Sequence, residues 1–313
     1  MTKSKIALWL VCVASLALPL ATFAQKKPTI IVVTHGTATN VFWAVAHNGV
    51  MQAGKDVDCT VDYRAPEKYD MVGMAQMIDA AIAAKPDGLV VSIPDVDALG
   101  RHIQDAVKAG IPVISMNSGA DASKKLGCLM HIGQEEYVAG KGAGERMKAM
   151  GVKKVVIINH EVGNVGLDRR AKGFSDGFGG SAEVLAVKMD FLECRDQVAA
   201  YLQRQPDTDG IMALGADGAE PALQAIDKAG KTGKIKFGTF DLSPAILQAL
   251  AQKRMDFAID QQQWLQGYLP VVFLANYVRY GAIPASDSLL TGPAFVTSDN
   301  ARQVIDLSKK GIR

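Results

Sequence analysis

Asp87-Gly88-Leu89-Val90-Val91-Ser92 and Asp209-Gly210-Ile211-Met212-Ala213-Leu214 are two versions of one motif, and their agreement decides the fold. Each opens on Asp-Gly and runs into an apolar strand. The first is followed by Leu99, Ile103 and Ala106 at helical spacing, the ending Ala109-Gly110, and then Ile111-Pro112-Val113-Ile114. The second is followed by a helix with Leu223 and Ile226, the ending Ala229-Gly230, and then Ile235-Lys236-Phe237-Gly238-Thr239-Phe240. An apolar run, a helix and a second apolar run make a parallel strand–helix–strand unit with a right-handed crossover. One such unit in each half predicts two similar α/β lobes with a cleft between them.

The same alternation extends outward from both units. Thr29 to Val33 reads as a buried β-branched strand, followed by the polar turn Thr34-His35-Gly36-Thr37-Ala38-Thr39-Asn40 and a helix from about Phe42 to Lys55. Val57 to Tyr63 reads as a second strand, and helix 68–84 carries a core stripe of Met71, Met74, Ala75, Ile78 and Ile82. In the second half, helix 134–150 leads to strand Val155–Ile158, a helix at roughly 167–178, a strand near Ala182–Val187 and a helix at 196–204. Gly140-Lys141-Gly142-Ala143-Gly144 looks like a phosphate-binding loop, but its neighbours place it inside a helix. There small residues serve close helix packing.

The first residues have the form of an export leader. Lys3 and Lys5 precede the apolar run Ile6–Leu20, and Thr22-Phe23-Ala24 gives a small-residue cleavage site before Gln25. The run falls short of the roughly 20 residues that span a bilayer as a helix. Residues 1–24 are therefore expected to be a cleaved signal peptide, and the mature protein to be soluble and exported. Removing them takes two lysines from 34 basic and 32 acidic side chains, leaving a formally neutral chain. Such a chain has no electrostatic reason to bind nucleic acid or anionic lipid. Cys59, Cys128 and Cys194 remain, an odd number without metal-ligand spacing. They read as small buried side chains, although the sequence leaves Cys59–Cys128 pairing open. Neither a metal site nor a cofactor is expected.

Open parallel sheets bind ligands beyond the carboxyl ends of their strands. His35, Asn40, Phe42 and Trp43 follow the first strand; Asn117 and Ser118 follow Val113-Ile114; Asn159, His160, Glu161 and Asn164 follow Ile157-Ile158. Asp241 follows Phe240, and Asp260, Gln261 and Gln262 follow Phe257-Ala258-Ile259. Carboxamides and carboxylates can bond two neighbouring hydroxyls at once, and an aromatic face can lie against the C–H face of a sugar. The set suits a neutral polyhydroxylated ligand and has too few cations for a phosphate. Several members keep a second reading. Asn40 and Asp241 are each also candidates for capping the helix that follows. Phe42 and Trp43 could be core residues, or, adjacent on a helix, one could pack inward while the other faces the cleft. His160-Glu161 could be an acid–base pair, but no nucleophile or catalytic motif accompanies it, so no catalytic residue is assigned.

The ordered set of Asn40-Val41-Phe42-Trp43, Gly110-Ile111-Pro112-Val113-Ile114, Gly173-Phe174, Thr239-Phe240-Asp241 and Ala258-Ile259-Asp260-Gln261 resembles the ribose-type periplasmic sugar-binding proteins. These are the solute receptors of ABC importers, and the resemblance runs from about Lys27 to Thr297. It implies ligand contacts at Asn40, Phe42, Trp43, Asp241 and Gln261. It implies two similar Rossmann-like lobes with parallel sheets joined by a three-segment hinge, the type I periplasmic binding fold. The chain would cross near Ile132–Gln134, Gln261–Gln263 and Leu290–Gly292. The lobes would comprise 28–132 with 262–290, and 133–261 with 291–313. The departures are specific. Asn117-Ser118 replaces the Asp-Arg of ribose binders, Asp168 falls near the position of a second ligand-binding arginine, and Gly215 aligns with a family asparagine. Ribose thus gives way to another neutral sugar or polyol, with Asn117, Ser118 and Asn164 supplying donors. The resemblance implies a monomeric, non-enzymatic receptor that closes on its ligand and presents it to an inner-membrane ABC permease. A receptor for a sensor kinase or chemoreceptor, or an exported sugar-modifying enzyme, is the alternative.

Overall fold

The computed structural model describes residues 27–36 and 40–313; the expected leader lies outside them. The first half alternates β1 (Thr29–Val33), α1 (Val41–Asp56), β2 (Thr60–Arg64), α2 (Met71–Ala83), β3 (Gly88–Ser92), α3 (Val96–Lys108), β4 (Val113–Met116), the short α4 (Ala120–Ser123) and β5 (Met130–Gln134). The second half repeats the scheme with α5 (Glu136–Ala149), β6 (Lys154–Asn159), α6 (Val165–Phe178), β7 (Ser181–Ala186), α7 (Phe191–Arg204), β8 (Gly210–Ala213), α8 (Ala216–Lys228), β9 (Lys236–Phe240), α9 (Pro244–Ala251) and β10 (Phe257–Asp260). Then come α10 (Gln263–Tyr280), β11 (Ser288–Gly292), β12 (Ala294–Val296) and α11 (Ala301–Lys309).

The strands form two sheets, ordered β11-β5-β4-β3-β1-β2 and β12-β10-β9-β8-β6-β7. All pairs are parallel except β10 with β12. Both are doubly wound, and the winding reverses between β1 and β3 in one sheet and between β6 and β8 in the other. A crevice opens beyond the strand ends at each reversal. The two-residue period of a strand sends Ile30 and Val32 into the core beneath α1 and α10, while Ile31 and Val33 enter the core beneath α2 and α3. Strands buried on both faces explain the unbroken apolar runs that mark the two motifs.

Glycine sets the closest helix contacts in each lobe. A Cβ on Gly49 of α1 would lie 2.1 Å from the Trp264 carbonyl oxygen, and one on Gly267 of α10 would lie 2.0 Å from that of Ala46. In the other lobe, Gly140 of α5 and Gly173 of α6 would clash likewise with the carbonyl oxygens of Arg170 and Tyr137, at 2.2 and 2.1 Å. The glycine run at 140–144 thus lies inside α5 and brings two backbones together.

The chain passes between sheets after β5, after β10 and after β11. The second and third passages are tied to each other: Thr291 Oγ1 donates to the Gln261 carbonyl at 2.7 Å, and Gln262 Nε2 donates to the Thr291 carbonyl at 2.6 Å. Helix α11 packs on α9, but the last residues turn back, and Asn48 Nδ2 of α1 donates to the Gly311 carbonyl at 3.2 Å. The segment after α11 therefore touches both lobes, since Arg313 also pairs with Asp260 at the end of β10, whereas the sequence reading assigns 291–313 to the second lobe alone. Helix α7 begins five residues earlier than the apolar spacing predicts. Asp190 caps it through the Leu192 and Glu193 amides, and exposed Leu192 masks the periodicity. Cys59, Cys128 and Cys194 are buried free thiols.

Candidate ligand site between the lobes

The winding reversal in the first sheet fixes His35. Its amide donates to Ser92 Oγ, at the end of β3, at 3.0 Å, and its Nδ1 lies 2.8 Å from the same oxygen. Trp43 packs edge-on to this imidazole with centroids 4.7 Å apart. Asn40 caps α1 and lines the cleft. Its Oδ1 accepts from the Phe42 amide at 2.9 Å to cap α1, while its Nδ2 donates to Asp217 Oδ2 in the other lobe at 2.6 Å. Phe42 and Trp43 serve core and cleft together: both are buried in the core cluster and both line the cleft.

The second lobe supplies the opposing wall from the ends of β6, β8 and β9. Asn159 Oδ1 accepts the Glu161 amide at 3.0 Å and shapes the turn. Asn164 caps α6 through the Gly166 amide and donates from Nδ2 to Glu161 Oε2 at 2.6 Å. Asp241 sits in the left-handed region at φ 70°, a conformation that Asp tolerates better than most residues. It does not cap α9; Ser243 Oγ does, accepting from the Ile246 amide at 3.1 Å. Gln261, at the second passage, donates to Asp241 Oδ1 at 2.5 Å and accepts from Asn117 Nδ2 at 3.4 Å.

These groups enclose about 390 Å³ of empty space, including its open mouth. His35, Asn40, Phe42, Trp43, Asn117, His160, Asn164, Asp241 and Gln261 all line it. Ser118 is buried one layer behind, its hydroxyl 3.1 Å from Asn117 Oδ1 and 3.4 Å from Asn164 Oδ1. Asp168 is exposed on α6 and lies outside the lining; Arg170, two positions on, reaches the cavity instead. Two helical residues are about 200° of turn, enough to exchange surface for cleft. Reading strand ends without their following helices leaves out Asp217 and reaches Arg170 only as a neighbour of Asp168 in the resemblance. Glu161, one of the strand-end residues, does line the cavity. Arg170 stands one turn after Leu167, another lining residue, and Asp217 lies just beyond β8. Those positions were the available signals.

Burial dominates the electrostatics. It raises the carboxyls of Glu161 and Asp217 above the usual range, and His160 and Asn40 respectively only partly offset it. Asp241 is pushed up to about 6 by burial, despite the opposing pull of Arg170 and the bond from Gln261. His35 is lowered to about 3 and His160 is lowered too, both by burial first, so both imidazoles are neutral. Burial alone would depress Arg170, but Glu136 holds it raised through bonds of 2.6 and 2.9 Å, with Asp241 and Glu161 adding to the effect. Its remaining Nη donates to the Leu214 carbonyl at 2.7 Å, and the guanidinium lies over Phe240. Among the described residues, no group of three His, Cys, Asp or Glu side chains is placed to hold a metal ion.

Two doubly wound lobes, three passages between them and a polar cleft contributed by both define a two-lobed binding protein of the hinge-closing kind. The chain belongs to the periplasmic binding protein family, whose domain model matches residues 30–282. It is 28% identical over 302 residues to a xylose/arabinose-binding protein of Sulfolobus acidocaldarius, covering 91% of this chain and 75% of that one. It is 25% identical over 241 residues to the ribose import binding protein of Escherichia coli, covering 75% and 79%. Among solved structures, a carbohydrate transporter from Acidothermus cellulolyticus 11B in complex with myo-inositol superposes with a TM-score of 0.88 at 34% identity. That match covers 92% of this chain and all (100%) of the other.

Proposed function

We propose that this protein is an exported solute receptor that traps a neutral sugar or polyol between its lobes and hands it, unaltered, to the permease of an ABC importer. The observation that carries this reading is the convergence of Asn40, Asn117, Glu161, Asp217, Asp241 and Gln261, from both lobes and a passage between them, on one cleft. Hydroxyl groups of a small ligand both donate and accept, so one molecule can engage both walls. Binding that completes the closed form shifts the open–closed population toward it. The sugars and polyol named for the relatives support the ligand class. The proposed moving bodies are 28–132 with 262–290, and 133–261 with 291–309, the final residues touching both through Asn48 and Asp260.

Binding is preferred to catalysis because the polar side chains of the cleft hold one another rather than a nucleophile. Glu161 is engaged by Asn164, and His160 Nε2 lies 3.9 Å from Asp217. The form proposed is a periplasmic monomer released from a leader at residues 1–24. Isothermal titration against pentoses, hexoses and polyols tests the reading, with scattering measurements of compaction on saturation. Binding of a hydroxylated ligand with compaction is expected. Failure of every such ligand to bind, or turnover of one that is lost in His160→Ala, would refute it.

A further inference from the structure

Asp260, at the end of β10, is wholly buried, and the cation paired with it among the described residues is Arg313, 53 positions further on. The other carboxylate oxygen of Asp260 accepts the Gln262 amide at 2.8 Å. That bond closes a tight turn in which Gln262 takes a left-handed conformation at φ 54°, uncommon outside glycine. Gln261 stands between the two, lines the cleft and donates to Asp241. Asp260 thus has one oxygen on the turn that presents Gln261 and the other on Arg313.

The segment that delivers Arg313 has a defined geometry. Helix α11 ends in a Schellman motif: the Ile312 amide donates to the Leu307 carbonyl at 3.1 Å and the Gly311 amide to the Ser308 carbonyl at 2.9 Å, with Gly311 at φ 66°. The motif turns the chain off α11 and lays it on α1. There Asn48 Nδ2 donates to the Gly311 carbonyl, and Ile312 shares a surface groove with Met51 and Trp264. Residues 310–313 therefore rest on the first lobe while their arginine reaches an acid of the second. A buried carboxylate stripped of its counter-charge is strongly destabilised where it stands. It would turn toward water, release the Gln262 amide and let the strained turn relax. Resting on the receptor reading above, in which Gln261 touches the ligand, we propose that Arg313 is a positioning residue of the ligand site. By neutralising Asp260 it holds the 260–262 turn, and with it Gln261, in the geometry of the cleft.

Two measurements on the purified protein test this: amide hydrogen exchange over residues 257–266 without ligand, and titration calorimetry at pH 7.5 with D-xylose, D-ribose, D-allose and myo-inositol. Arg313→Ala is expected to quicken exchange at Gln262 by about tenfold or more. It should weaken the tightest of the four by about five- to fiftyfold, and Arg313→Lys should restore most of both effects. Because Arg313 acts through Gln261, adding Arg313→Ala to Gln261→Ala should cost less than about twofold further. Asp260→Asn keeps an acceptor for the Gln262 amide and leaves no charge to neutralise, so Arg313→Ala should change little in that background. That double variant strands no charge and answers the question even if Arg313→Ala alone fails to fold. Wild-type exchange or wild-type affinity in a folded Arg313→Ala protein overturns the proposal. So does the full loss of affinity reappearing in the Gln261→Ala or Asp260→Asn background, since Arg313 would then act by another route. If none of the four binds while exchange quickens, the hold on the turn stands, and the wider titration of sugars and polyols decides the receptor reading separately.

Discussion

Replacing Asp241 with Asn removes one negative charge from the cleft and little else. Asn tolerates the left-handed backbone that Asp241 adopts at φ 70°, so the turn after β9 is kept. Its carbonyl oxygen can still accept from Gln261, as Asp241 Oδ1 does. What changes is the second oxygen, which becomes a neutral amide nitrogen. Hydrogen bonds to charged groups contribute about 1.5–3 kcal/mol and neutral ones about 0.5–1.5 kcal/mol, so one or two ligand bonds weaken by roughly 1–2 kcal/mol. Affinity should then fall by about five- to thirtyfold. The pH profile gives an independent check. The free-protein carboxyl stands at about 6 because burial opposes its charge. Hydroxyls that donate to the carboxylate favour the ionised form, so the bound-state value lies lower and binding releases a proton between the two. Affinity should therefore be flat above pH 6 and decline as pH falls below it, by at most about tenfold per pH unit. Asp241→Asn should remove this Asp241-dependent contribution. Calorimetry from pH 4.5 to 8 reads both effects. A variant with wild-type affinity and an unaltered profile would refute the assignment of Asp241 to the ligand.

Gly215→Asn places a side chain where a Cβ already falls 2.6 Å from His160 Cε1, and should abolish calorimetrically detectable ligand binding; full affinity would show that this corner is not occupied. Arg170→Met strands the buried carboxylate of Glu136, and breaking such a pair should cost about 3–5 kcal/mol in urea denaturation. The double variant Arg170→Met/Glu136→Leu should recover most of that loss; equal losses in single and double variants would count against a partnership. Gly173→Ala pushes a Cβ to 2.1 Å from the Tyr137 carbonyl and should destabilise by about 1–3 kcal/mol through overpacking. Gly142→Ala, in the neighbouring helix and 3.4 Å from Phe295 Cζ, should be neutral or stabilising by up to about 1 kcal/mol. Similar melting curves for these two would remove the helix-contact explanation of the glycine run.

The fold was legible because parallel strands buried on both faces leave unbroken apolar runs, and the Asp-Gly motifs repeat one in each half. The strand-end rule also found most of the cleft, since Asn40, Asn117, Asp241 and Gln261 each follow a strand closely. Its omissions have a common cause. Arg170 and Asp217 lie in helices, where reach into the cleft depends on the angular phase of the helix and not on distance from a strand. Asp168 illustrates this: the alignment register put a ligand contact there, and the phase of α6 turns it to solvent. The pairing of Asn40 with Asp217, 177 positions apart, depends on how the lobes meet, which no local pattern encodes. Ser243 as the cap of α9 was readable in principle, because it immediately precedes Pro244 at the start of that helix.

Cleft chemistry and lobe motion are linked through burial. Protein groups already bridge the lobes, with Asn40 on Asp217 at 2.6 Å and the Val165 amide on the Pro94 carbonyl at 2.9 Å. Against these contacts stands the burial of Glu161, Asp217 and Asp241, each of whose acidities is weakened by loss of water. Opening the cleft would rehydrate the carboxylates at the expense of a few bridging bonds, each contributing only about 0.5–1.5 kcal/mol. A ligand that donates to those oxygens and also touches Asn40 and Trp43 reverses this balance in the closed form alone, because the three carboxylates stand on one wall and Asn40 and Trp43 on the other. Its affinity for the closed form then exceeds that for the open one, which is the thermodynamic requirement for a ligand to close a hinge. On the proposed reading the carboxylates would select the guest and, through their cost when unmet, couple its arrival to closure. Asp217→Asn, which lessens that cost and leaves an amide beside Asn40, should make the ligand-free protein more compact in solution scattering while weakening binding. An unchanged scattering profile would separate selection from closure and refute the coupling.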